Sequence, residues 1–235
     1  MKVEVWSDVV CPWCGLGKHR LDRALAAFPH REAVEVIHRS FLLDPEAGPD
    51  VRPVRENLAR KYRLDDAQLD ATFARIESLA AAEGLVPYHV GDNVTGNTRL
   101  AHELLALASA RGVEAAAWRR LYRAYYGERR SIFDLESLVE LGRDVGLDPD
   151  EARAALSDRR YRGKVDADDR EARTLGATGV PFVVIDRRYG VAGAQPTETF
   201  LEALQRAWRE QPSPAPVPAG DAACGPDGCE LPRRS

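Results

Sequence analysis

A chain of 235 residues with only four cysteines is not a small secreted scaffold held together by disulfides, and at 44% hydrophobic residues it can bury a substantial core. Thirty-three basic against 37 acidic residues leave a net charge of -4, so no global positive field draws it to nucleic acid or to anionic lipid. Every apolar stretch is broken by Arg, Asp or Glu well before the roughly 18 residues that a bilayer requires. The expectation is therefore no membrane partner and no nucleic-acid partner.

Met1 leads straight into the alternating Lys2-Val3-Glu4-Val5-Trp6, without the apolar stretch and small-residue cleavage site of a secretory leader. That predicts a cytoplasmic address, where cysteines are expected to be free, metal-bound or catalytic. Residues 2–6 read as a strand, and residues 35–43 as a second, richer in apolar and β-branched side chains. Between them Leu21, Leu25 and Phe28 fall at helical spacing. A strand, helix, strand unit of this kind places its strands parallel through a right-handed crossover.

From residue 54 to residue 160 the strand signal almost vanishes. Helical spacing recurs in Leu69, Phe73, Ile76 and Ala80, in Leu100, Leu104 and Leu107, in Trp118, Leu121, Tyr122 and Tyr125, and in Leu135, Leu138, Leu141 and Val145. Asp148, Pro149 and Glu151 mark a further helix start, with Asp148 as N-cap. Residues 164–175 read as helix, and Val180 to Ile185 as a compact strand. A turn at Arg187-Arg188 leads to a return strand over residues 189–193, and a closing helix runs from Thr197 to Trp208.

The predicted fold class is α/β, with residues 1–53 and 161–210 as one domain and residues 54–160 as an inserted all-helical subdomain. Residues 211–235 form a tail in which Pro212 to Pro218 favours polyproline II over packing.

The chemistry concentrates in Cys11-Pro12-Trp13-Cys14, where a strand hands over to a helix. With Pro12 as first helical residue, Cys11 falls at the N-cap. There its sulfur meets unpaired N–H groups and the positive end of the helix dipole, which favour a thiolate. Cys11 is the expected nucleophile and Cys14, one turn along and deeper, the resolving thiol; Trp13 shapes the lip beside the sulfur. Two cysteines at this spacing are also common zinc ligands, but no histidine pair near the motif completes such a site, so none of its residues is assigned to a metal. Asp8, three residues ahead of Cys11, either acts on the thiol or caps a turn; His19, over two helical turns beyond, reads as surface.

A second feature is Val180-Pro181, at a strand entrance where a cis peptide can be retained; taken alone, the residues favour the ordinary trans bond. Were the bond cis and facing the cysteines, the backbone of Val180 would be free to pair with an extended substrate.

The early strand ending in Cys11-Pro12-Trp13-Cys14, the helical insertion, and Thr178-Gly179-Val180-Pro181 followed by a hairpin and a terminal helix together resemble a thioredoxin-fold protein of the DsbA family. Ser7-Asp8, Gly96-Asn97-Thr98 with Ala101-His102, and Gly193-Ala194-Gln195-Pro196 resemble its FrnE-type branch of cytoplasmic oxidoreductases. The resemblance implies a thioredoxin-like fold, thiol-disulfide exchange on protein or small-molecule substrates, and Pro181 as the family's cis-proline.

Related glutathione-dependent isomerases and kappa-class transferases commonly carry serine at the first cysteine, so the intact pair argues for dithiol chemistry with no bound cofactor. Asn97 and its neighbours leave glutathione open as a thiol partner, although Asn97 also suits a helix N-cap and Thr98, Arg99 and His102 suit a helix start. Cys224 and Cys229 flank Gly225-Pro226-Asp227-Gly228, which can turn back so that its ends meet. They are expected to form a second redox pair on the tail, with a static staple or incidental thiols as the alternatives. A zinc-binding or redox-sensing module is the non-enzymatic alternative, and monomer and homodimer both stay open.

Overall fold

The structure, a computed structural model, describes residues 1–210; the expectations for the tail, Cys224 and Cys229 included, lie outside the described residues. In chain order it comprises β1 (Lys2–Ser7), α1 (Pro12–Ala27), β2 (Glu35–Ser40), β3 (Arg52–Pro53), α2 (Val54–Tyr62), α3 (Asp66–Ala82), β4 (Val94–Thr95), α4 (Arg99–Ala110) and α5 (Glu114–Tyr122). There follow α6 (Leu135–Arg143), α7 (Pro149–Ser157), α8 (Arg162–Thr174), β5 (Phe182–Ile185), β6 (Tyr189–Ala192) and α9 (Thr197–Arg209).

The main sheet has the order β2-β1-β5-β6. β1 and β2 are parallel across α1, as the opening unit predicts, while β5 and β6 are antiparallel neighbours. Strand alternation assigns the two faces. Val3, Val5, Val183 and Ile185 pack with Leu21, Leu25 and Phe28 of α1 and with Phe200 and Leu204 of α9. On the other face Trp6 and Val184 meet Phe41 and Ala172, and the Trp6 indole N–H donates to the Asp168 carbonyl of α8 at 2.9 Å. This is the thioredoxin-like layering that the family resemblance implies.

Beside it, a core of Leu69, Phe73, Leu104, Trp118, Leu121, Leu138 and Leu156 joins the helices of the insertion, and Cys11 and Cys14 belong to this core. The Asp148 carboxylate accepts from the Glu151 N–H at 2.8 Å, so the expected cap forms. Glu151, however, turns its own side chain to Arg111, at 2.9 Å from Nε, and does not close a capping box. A complete box instead opens α3, between Asp65 and Gln68.

Several boundaries differ from expectation for identifiable reasons. β2 ends at Ser40, not at residue 43, because the next backbone donors leave the ladder: Leu42 N–H goes to the Asp169 carboxylate at 3.0 Å and Leu43 N–H to Asp8 at 2.8 Å. The insertion is not free of strand, since β4 pairs antiparallel with β3; two residues are too short for any periodicity. α8 begins at Arg162, two residues early, and β6 stops at Ala192 because Gly193 takes a positive φ of 78°.

Candidate dithiol site

Pro12 is the first residue of α1 and Cys11 its N-cap, with extended backbone at φ -87° and ψ 110°, which is what a proline at that position and a strand entering it impose. The Cys11 thiol makes no hydrogen bond to the first-turn N–H groups. As a donor it turns instead to the Val180 carbonyl, 3.4 Å away. Cys11 is 4% exposed and Cys14 fully buried behind it, and both are free thiols. Burial, together with the adjacent Cys11 sulfur, pushes the Cys14 thiol well above its ordinary range.

The Val180-Pro181 peptide is cis, as the family resemblance implies and against the trans reading of the bare dipeptide. The Pro181 ring lies against α1 where residue 17 is glycine: a Cβ there would come 2.8 Å from its Cγ. Pro12, Trp13 and Val180 line, with Cys11, a cavity of about 420 Å³ walled largely by apolar side chains of α2 and α3, among them Leu58, Leu69 and Phe73. Arg52 and Lys61 bring two cations to the same wall.

Asn97 does not join this lining, although Gly96 and Thr98 on either side of it do. Its amide donates to the Ala47 carbonyl at 2.7 Å and its oxygen accepts from Arg99 N–H at 3.0 Å. That is the helix-start role, one residue before the N-cap proper at Thr98. His19 is not surface: it is half-buried on the wall of a different cavity, and its Nε2 is enclosed without a partner.

Sequence reasoning reached Asp8 but not its setting. The carboxylate is 1% exposed and faces His102 Nε2 at 3.3 Å, where His102 is fully buried on α4. Its charge adds to the upward push on Cys14. Tyr88 carries no such sequence signal. Its hydroxyl donates to the Pro12 carbonyl at 2.7 Å, and its ring stacks on Tyr126 with centroids 4.5 Å apart. Tyr126 is delivered by a π-helical turn, Arg123–Gly127, that continues α5. No local signal could identify Tyr88, which lies in irregular chain after a second cis bond, Val86-Pro87. Among the described residues no group of three or more His, Cys, Asp or Glu side chains could hold a metal ion, and no helix is long and apolar enough to cross a membrane.

The sequence profile of the DSBA-like thioredoxin domain matches residues 2–205. A solved structure of a probable DsbA oxidoreductase from Streptomyces coelicolor is 50% identical, with 99% of this chain and 100% of that one covered and a TM-score of 0.88. The cytosolic disulfide reductase DsbM from Pseudomonas aeruginosa, solved with GSH, shares the fold at 23% identity, covering 89% of this chain and 100% of that one with a TM-score of 0.61. The YwbO protein of Bacillus subtilis (strain 168) is 27% identical over 160 residues, 68% of this chain and 74% of that protein. With the profile match spanning nearly all the described residues, the chain belongs to the DsbA-like thioredoxin-domain family.

Proposed function

We propose that the protein is a cytoplasmic thiol-disulfide oxidoreductase of FrnE type, acting through Cys11 and Cys14. The observation that carries this reading is the arrangement of two free thiols on one helical turn, one at a cavity beside a cis-proline and the other sealed behind it. In the reducing direction the Cys11 thiolate attacks a substrate disulfide, forms a Cys11–substrate disulfide and releases one substrate thiolate. Cys14, once deprotonated, attacks the Cys11 sulfur, closes the Cys11–Cys14 disulfide and releases the second thiolate, so two electrons pass to the substrate. The oxidising direction reverses these steps, and the reduction potential relative to the compartment selects between them.

Either direction moves a proton at Cys14, whose pKa is raised by burial and in part by the Asp8 carboxylate, and that carboxylate in turn faces His102. Pro12, Trp13, Val180 and Pro181 form the substrate-facing rim, with Asn97 acting indirectly by setting the start of α4. Cys224 and Cys229 are proposed as a second pair that relays electrons to the first. Residues 1–53 and 161–210 serve as the redox domain and residues 54–160 as its substrate-covering insertion. Insulin-disulfide reduction tests the reading: Cys11→Ser is expected to abolish it, and Cys14→Ser to accumulate a mixed disulfide. Full activity in Cys11→Ser would overturn the assignment.

Glutathione as the thiol partner is favoured by one observation in particular. Arg52 and Lys61, neither of them ion-paired among the described residues, stand on the wall of the Cys11 cavity, where the two carboxylates of glutathione would find counter-charges. DsbM, which shares the fold, was solved with GSH. Isomerase turnover with glutathione that survives Cys14→Ala would shift the function to the kappa-like alternative.

A further inference from the structure

A second cavity, of about 460 Å³, is lined by both rings of the Tyr88–Tyr126 stack and meets the dithiol cavity at Tyr126. Two helical stripes face each other across it. Gly15, Lys18 and Asp22 come from α1, and Arg119, Tyr122 and Tyr126 from α5 and the π-helical turn, each set at the three- and four-residue spacings that put side chains on one face. The end wall is the loop carrying Leu85, Val86 and Pro87.

The wall charges do not cancel. The Lys18 ammonium is held by Asp22 at 2.8 Å, and Arg123 by Glu128 at 3.0 Å; Glu128 also binds Arg120 at 2.9 Å. Both carboxylates on the wall are thereby occupied. Arg119 is exposed and has no carboxylate or hydrogen-bond acceptor among the described residues, in a protein where most arginines are paired. Lys18 and Arg119 also both act on the buried His38 imidazole, helping to hold it neutral. Apart from the half-buried His19, the rest of the wall is apolar side chains, glycines and tyrosines, and Val86 at its edge is 67% exposed, the highest value among the exposed large hydrophobic residues of the described chain. An exposed apolar rim around a site with one unmatched guanidinium calls for a ligand that covers the first and neutralises the second.

We propose that this cavity is a binding site for small aromatic carboxylates. The carboxylate pairs with Arg119, and the flat apolar body lies against Val86 and the tyrosine rings. The site is separate from the dithiol cavity, sharing with it only Tyr126, and its occupancy requires no thiol chemistry.

The test is isothermal titration calorimetry of the full-length reduced protein with 2-naphthoate, and with 2-naphthamide as the neutral counterpart. Saturable binding of one 2-naphthoate per chain is expected, weakened at least tenfold in Arg119→Gln and at least tenfold for the amide, since a charge-assisted pair is lost in each case. Alkylating Cys11 is expected to leave binding intact. Arg119 is exposed, so its substitution leaves the core untouched; unchanged circular dichroism and insulin reduction verify that. Absence of saturable binding, equal affinity for the amide, unchanged binding in Arg119→Gln, or loss of binding on Cys11 alkylation would each overturn the proposal.

Discussion

Asp8 divides its two carboxylate oxygens among four groups. Oδ1 accepts from Val10 N–H at 3.4 Å and faces His102 Nε2 at 3.3 Å, while Oδ2 accepts from Leu43 N–H at 2.8 Å and from the Thr98 hydroxyl at 3.4 Å. The residue thus ends β1, pulls the chain after β2 out of its ladder and places a negative charge behind Cys14. Asp8→Asn removes that charge and weakens the hydrogen bonds to its oxygens. The Cys14 ionisation is expected to move down, read as thiolate absorbance against pH in a Cys11→Ser background. Stability is expected to fall by about 1–3 kcal/mol in urea unfolding, from impaired satisfaction of buried polar groups. An unmoved Cys14 titration would show that the Asp8 charge is screened from the sulfur.

At the scale of elements, α1 is positioned by two glycines that have nothing to do with turns. Gly17 admits the Pro181 ring, and at Gly15 a Cβ would run into the Tyr88 hydroxyl. Both lie in a helix interior, where glycine is unfavourable by roughly 0.5–1 kcal/mol relative to alanine, so close approach outweighs propensity here. Gly15→Ala is expected to destabilise by about 1–3 kcal/mol through overpacking, and Tyr88→Phe in that background is expected to recover part of the loss by removing the clashing oxygen. A double-mutant cycle in thermal unfolding measures this, and strict additivity would count against the contact. At the start of α7, Asp148→Ala is expected to cost about 1 kcal/mol by removing the acceptor for Glu151 N–H, measured the same way.

For the molecule as a whole, His38 couples stability to pH. It lies on β2, with its backbone N–H on the Glu114 carboxylate at 3.3 Å, its ring tilted against Trp118, and with Lys18 and Arg119 acting on it electrostatically. Burial first, then those two cations, pushes its pKa down to about 3. Between pH 6.5 and pH 3 the unfolded chain binds a proton at this histidine that the native protein does not. Stability is therefore lost as pH falls, at about 1.4 kcal/mol per pH unit from this group. Glu114, its carboxyl raised chiefly by burial, acts in the opposite sense, giving stability present at low pH and lost as pH rises above the ordinary carboxylate range. His38→Gln is expected to flatten the acid limb of urea-unfolding stability between pH 6.5 and pH 4; an unchanged slope would rule His38 out as its source.

The α/β class, the parallel opening unit, the run of helices after residue 54, the Asp148 cap and the placement of Cys11 at a helix start were all legible in the chain itself. Each depends on side-chain periodicity or on residues within a few positions of one another. The cis state of Pro181 needed the family resemblance, since a dipeptide by itself favours trans. What only the tertiary structure decided joins groups far apart in sequence: Asp8 with His102, Tyr88 with the Pro12 carbonyl, Gly17 with Pro181, and Arg119 with Val86 across a second cavity. Such pairings arise from how packed elements meet in space, and neither a hydrophobic period nor a capping rule carries that distance.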